Sequence, residues 1–146
     1  MLRDRRAYSS AFWAIFIGLV IVPVFALAFD VGRYLYARQE IGKAADAAAV
    51  AAVVEINQRA FRDSGELHPT GATYSWAQSY ANMNNDYLGG LGIHPPVTGI
   101  RINDARDTVY VAVSTDISAL FPYYCAKGAK VLVQETGTAQ VRSFGK

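Results

Sequence analysis

Residues 11–29, AFWAIFIGLVIVPVFALAF, are 19 consecutive positions without a charge or a strongly polar group. At 1.5 Å per residue such a stretch makes roughly 28 Å of helix, about the hydrocarbon thickness of a bilayer. The length therefore predicts a membrane-spanning helix. Pro23 lies inside it, removes a backbone donor and predicts a kink of the kind membrane helices tolerate. Trp13 near one end, with Tyr34 and Tyr36 beyond the other, suits the two membrane–water interfaces.

Charges of both signs precede the run. Arg3, Arg5 and Arg6 stand against Asp4, which gives +2, and +2 is the formal net charge of the whole chain. The excess is thus a topological signal: basic residues place 1–10 in the cytoplasm and 30–146 on the far side, with Arg3, Arg5 and Arg6 setting the orientation. A rival reading exists. MLRDRR, the apolar core and Ala26-Leu27-Ala28 also make a secretory signal that would be cleaved after Ala28, releasing a secreted binding or adhesive module. The run is long for a signal core, and the helical pattern continues through the cut, so retention is favoured.

The remaining composition narrows the class. With 52% hydrophobic and 18% charged residues the chain is no disordered protein. A net charge of +2 is too small to argue for nucleic acid. The lone cysteine, Cys125, leaves no internal disulfide framework and no Cys-rich zinc site.

From Asp30 to about Arg62 there is no proline and much alanine, the best helix former. The pattern predicts one helix from about residue 8 to 62, on the order of 80 Å long. Small residues three and four apart, Gly42, Ala45, Ala48, Ala49 and Ala52, let helix backbones approach closely. They are the candidate helix-packing positions, either toward partner helices or toward the chain's own head. The organisation expected is a cytoplasmic segment 1–10, a transmembrane helix 11–29, its continuation 30–62 and a head 63–146.

Ser64-Gly65 and His68-Pro69-Thr70-Gly71 break the helix. A second helix follows, TYSWAQSYANMNNDYL, with Thr73 or Ser75 as its cap and Trp76, Tyr80, Met83 and Tyr87 as one apolar-aromatic face. Val97–Ile102 and Thr108–Thr115 read as a hairpin, with Val109, Val111 and Val113 on one side and Tyr110, Ala112 and Ser114 on the other. Residues 130–141 supply a further strand. The fold class is α+β: a long N-terminal helix continuing into a small head with a second helix and a three- or four-stranded antiparallel sheet.

The residues that could carry chemistry point elsewhere. There is no phosphate loop, nucleophile elbow or HExxH motif. His68 and His94 sit beside prolines in loops and read as surface histidines. Asn82–Asp86 and Asn103–Asp107 lack the spacing of a calcium loop and read as turns. Cys125 reads as a small packed residue. The expectation is no enzyme, cofactor, metal or small-molecule substrate.

The order RDRR (3–6), about twenty apolar residues, then FDVGRYLYARQEIGKAADAAAVAAV (29–53) resembles the N-terminal region of TadE/TadG-like proteins of Tad (Flp) pilus systems. The family's pattern maps onto Asp30, Gly32, Arg33, Arg38 and Asp46, within an alanine block at 44–48, and the resemblance covers about residues 3–54. It implies a pilin-like or pseudopilin-like subunit in the bacterial inner membrane, with its head in the periplasm or outside. Its implied partners are the membrane and other pilus subunits, copies of itself among them. A prepilin-peptidase site would place Gly before the processed residue and Glu fifth after it. Here the first glycine is Gly18 and no Glu precedes Glu40, which favours a minor or membrane-resident component.

Overall fold

The computed structural model describes residues 4–55, 58–103, 105, 107–119 and 130–141. They form two compact units, Met1–Leu35 with Ser118–Val131, and Tyr36–Ile117 with Leu132–Lys146. The element order is helix α1 (Asp4–Phe16), a π-helical segment (Ile17–Ile21), α2 (Val22–Val54), α3 (Gln58–Ser64), α4 (Thr73–Met83), α5 (Asp86–Gly90), then strands β1 (Val97–Ile102), β2 (Thr108–Ser118) and β3 (Lys130–Gln140).

In the first unit the apolar run is helical throughout, and Pro23 does not interrupt it. The π-helical segment ends at Ile21, two residues before the proline, and the Val22 N–H bonds to the Ile17 carbonyl five residues back. A wider turn of this kind gives the proline ring room against the carbonyl four residues earlier. The helix expected to 62 is shorter. α2 ends at Val54, α3 is separate, and residues 56–57 lie outside the described set.

In the second unit the sheet order is β1-β2-β3. β1 pairs antiparallel with β2, Ile102 opposite Val109, Ile100 opposite Val111 and Val97 opposite Val113, with an irregularity between Val97 and Gly99. That shift has a purpose readable in the register. It keeps Val97, Ile100 and Ile102 opposite the buried valines and turns Arg101 outward beside Tyr110. At the far end of β3 the Val141 N–H bonds to the Asp107 carbonyl just before β2 begins, so β3 returns antiparallel to β2.

The core holds Ala37, Ile41, Ala44, Ala45, Ala48, Ala49, Ala51 and Ala52 of α2 with Leu67, Ala77, Ala81, Leu88, Val97, Val109, Val111, Val113 and Val133. β3 crosses α2 so closely that a Cβ on Gly137 would lie 2.1 Å from the Ala45 carbonyl oxygen. An alanine-rich helix face against a glycine is what permits that approach. Beside this core Glu40 is only 5% exposed and is paired with the Lys43 ammonium at 2.6 Å. The hydrogen bond to Glu40, and its charge, raise the Lys43 amine above its ordinary value.

The second helix differs from expectation in three ways. It is broken at Asn84-Asn85 into α4 and α5. Neither Thr73 nor Ser75 caps it: the N-cap is Ala72, while Thr73 Oγ1 donates to the Glu55 carbonyl and accepts the Thr70 N–H. Its buried stripe is Thr73, Ala77 and Ala81, so Trp76, Tyr80, Met83 and Tyr87 are exposed. Small residues win the inner face because α4 lies close to β1. Gln78 accepts the Val97 N–H at 2.8 Å and donates to the Pro95 carbonyl at 3.3 Å, and the Tyr74 hydroxyl donates to the Val97 carbonyl. These bonds cover the start of an edge strand that would otherwise present unpaired backbone groups.

The β1–β2 turn is built by Asn103, whose Oδ1 accepts the N–H groups of Asp107 and Thr108. Hydrogen bonds to Asp107 from Thr108 (2.8 Å), Asn103 (2.6 Å) and Gln140 of β3 (3.2 Å) hold its carboxyl below the ordinary value. With the folded value depressed, this contribution is present above the unfolded aspartate pKa and lost as pH falls through the folded one. Asp107→Asn should therefore lose less Tm than the native chain between about pH 5 and about pH 2. An identical loss in both proteins would show that Asp107 does not set the acid response.

Candidate functional site

Sequence reasoning singles out an apolar helix, a charged element just beyond it and an alanine-rich helix face. Among the described residues no cluster of three or more His, Cys, Asp or Glu side chains is placed to hold a metal ion. One helix, Tyr8–Val54, is long and apolar enough to cross a membrane, and its most apolar stretch is wholly unburied. Side chains that cost free energy in water, Phe12, Ile15, Leu19, Val24, Phe25 and Phe29 among them, therefore stand outward from it.

Aromatic residues stand toward both ends of this stretch. Phe12, Trp13 and Phe16 form a ring cluster with centroids 5.8–6.3 Å apart. Tyr34 follows Trp13 by 21 residues, about 32 Å of helical rise, close to the hydrocarbon thickness. Just past the run, the Asp30 and Arg33 side chains approach to 3.9 Å, one helical turn apart. Pairing of opposite charges lowers the cost of holding either near a low-dielectric boundary. Gly32 has open space where a side chain would be, and Asp46 is exposed. Arg3 lies outside the described residues, as does Cys125, and Arg5 and Arg6 are placed by their backbone in α1.

The candidate packing residues divide. Ala45, Ala48, Ala49 and Ala52 are at 0% exposure inside the second unit, Ala45 beneath Gly137 of β3, whereas Gly42 is half-buried and has open space where a Cβ would be. Arg38 makes an ion pair with Glu135 that joins α2 to β3, a contact across 97 positions that no local pattern shows. Beyond the apolar run, the aliphatic α2 side chains that stand outward are Val31, Leu35, Val50 and Val54, each about half exposed or more. The sheet's outer face is an open concavity lined by Thr98, Arg101, Tyr110, Ser114, Gln134 and Thr136. It is hydroxyl- and amide-rich and holds no nucleophile–base pair.

Sequence reasoning missed the glycine contact at Gly137, although an isolated glycine in a valine-rich strand is a standard signal of close backbone approach. It also missed the exposure of Leu91, which lies between glycines read only as a helix stop.

No curated protein and no solved structure matches the chain. A family does: residues 9–55, which hold the apolar run, the Asp30–Arg33 element and the alanine block, match the family model described as "Putative Flp pilus-assembly TadE/G-like".

Proposed function

We propose that this chain is a minor-pilin-like structural or assembly subunit of a Tad/Flp-type pilus. In this reading residues 11–29 anchor it in the inner membrane, residues 1–10 stay in the cytoplasm, and the head stands in the periplasm or on the surface. The observation that carries the reading is an unburied apolar helix of membrane length lying inside the segment that matches a pilus-assembly family. The helix also runs through Ala28 and Phe29 without a break, which supports retention over cleavage there. No catalytic step is assigned to it.

The mode of action is helix–helix packing, and burial tells which residues are free for it. Ala45, Ala48, Ala49 and Ala52 serve the chain's own core, so neighbours are met through the outward side chains of the run and through Val31, Leu35, Val50 and Val54. Exposed positions tolerate substitution within about 0.5 kcal/mol. Val50→Glu with Val54→Glu should accordingly leave the thermal transition nearly unmoved while abolishing cross-links to other pilus subunits in intact cells. Undiminished cross-linking would sink this packing surface. If the native chain never cross-links to pilus components, the pilus reading itself goes.

A further inference from the structure

The outer face of the three-stranded sheet is hollow for a reason its residue order gives. At its centre Gly99 of β1 lies opposite Ala112 of β2, so the floor carries nothing longer than a methyl group, and the space above Gly99 is open. Longer side chains stand around that floor. Arg101 and Tyr110 are cross-strand partners at one end, and Ser114 follows Ala112 toward the other. Gln134 and Thr136 stand out from β3, alternating with the buried Val133 and Gly137. The irregularity between Val97 and Gly99 brings Thr98 to the rim, where its hydroxyl donates to the Ala112 carbonyl at 3.2 Å. The hollow holds about 750 Å³, the scale of a small-ligand cleft.

Its chemistry is polar and its charge one-sided. Among the described residues, the side chains of Arg101, Tyr110, Ser114, Gln134 and Thr136 make no hydrogen bond or ion pair within the chain. A guanidinium, three hydroxyls and a carboxamide thus face the hollow with their donors and acceptors unused. Arg101 is the one charge in the lining. Of the carboxylates on β2 and its turn, Asp107 already accepts from Thr108, Asn103 and Gln140. Asp116 lies six residues past Tyr110, about 20 Å along the strand. The lining has Ile102 and the Tyr110 ring, 39% exposed, but no cluster of aliphatic anchors such as a protein partner uses.

A guanidinium takes a carboxylate through two parallel N–H···O bonds. Hydroxyls and an amide match a polyol, and an open phenol ring offers an apolar face to the C–H side of a pyranose. We propose that the hollow binds an acidic oligosaccharide. Arg101 holds a uronic acid carboxylate, Tyr110 packs against the sugar ring, and Ser114, Gln134 and Thr136 bond its hydroxyls. The site lies wholly within the second unit and requires neither the membrane anchor nor the pilus reading.

The test titrates the full chain, in a polyoxyethylene detergent that carries no sugar, with tetragalacturonate by isothermal calorimetry. Salt at about 0.15 M screens loose attraction of a polyanion. The fully methyl-esterified tetramer supplies the same rings without the charge. The acid is expected to bind, and esterification or Arg101→Gln should each weaken it at least about tenfold, the loss of one charge-assisted contact. Arg62→Gln removes an exposed arginine outside the hollow and should leave the affinity unchanged. Equal weakening by Arg62→Gln would reduce the binding to diffuse attraction and overturn the site. Equal binding of acid and ester, or no binding of the acid up to about 10 mM, overturns it as well. Hexaglutamate binding more tightly than the tetragalacturonate would overturn the saccharide in favour of an acidic peptide.

Discussion

Gly137→Ala is expected to be the most damaging single methyl that can be added to the second unit. The new Cβ would sit 2.1 Å from the Ala45 carbonyl oxygen, 2.2 Å from its carbon and 2.5 Å from the Asp46 nitrogen. All three are backbone atoms of a helix, so no rotamer change relieves the clash. β3 would have to lift off α2, opening the valine–alanine core beneath it. Overpacking of a dense core costs typically 1–3 kcal/mol, and an unyielding backbone contact puts this case at about 3 kcal/mol or more. For a unit of this size that is a fall in Tm of roughly 10–20 °C. Ala45→Leu should act similarly, since Ala45 has no exposed surface under the same crossing strand. Far-UV circular dichroism melts of the full chain in detergent would measure both. A Gly137→Ala protein melting within 2 °C of the native chain, roughly 0.5 kcal/mol, would mean that β3 does not cross α2 where it is placed. The pair also separates two roles for the alanine face: a variant that melts early has lost core, whereas one that melts normally but fails to cross-link has lost a partner.

The parts of this fold legible in the sequence were those with a strong period or a long uniform run. Alternation of Val109, Val111 and Val113 set β2 and its inward face, and the Asn103–Asp107 cluster set the turn before it. The apolar run and the alanine block gave the long helix. What the sequence hid was which face of a helix goes inward when both faces are plausible. Trp76, Tyr80, Met83 and Tyr87 have the spacing of a buried stripe, yet α4 turns Ala77 and Ala81 inward because Gln78 and Tyr74 must reach the backbone of Pro95 and Val97. Distance in sequence hid the rest. Arg38 meets Glu135, and Ala45 meets Gly137, only because β3 returns across α2 after more than ninety residues. The Asp30–Arg33 ion pair was readable because it is local, within a single helical turn.

Two arginines at the middle of the apolar run should detach the protein from the bilayer. Residues 11–29 hold twelve Ile, Leu, Phe and Val side chains. At about 0.3–0.6 kcal/mol each in favour of insertion, these contribute about 4–7 kcal/mol. Leu19→Arg and Val22→Arg both fall near the centre, where each arginine costs about 2.5–3.5 kcal/mol and forfeits the apolar side chain it replaces. Their joint cost, about 6–8 kcal/mol, equals or exceeds the whole favourable sum, and Gly18 and Pro23 add nothing to offset it. Snorkelling offers little relief, since both positions lie about 10 Å or more from either end of the run. Leu19→Ala with Val22→Ala is the matched control: it removes the same side chains without adding charge, and it should remain in the membrane. Alkaline carbonate extraction followed by flotation separates the outcomes, with the native chain and the alanine pair floating with lipid and the arginine pair remaining in the extract or being degraded. Should the arginine pair float like the native protein, the run is not the anchor. Loss of flotation together with an intact Met1 in the native protein would instead identify the run as a retained membrane helix and exclude a signal cleaved after Ala28.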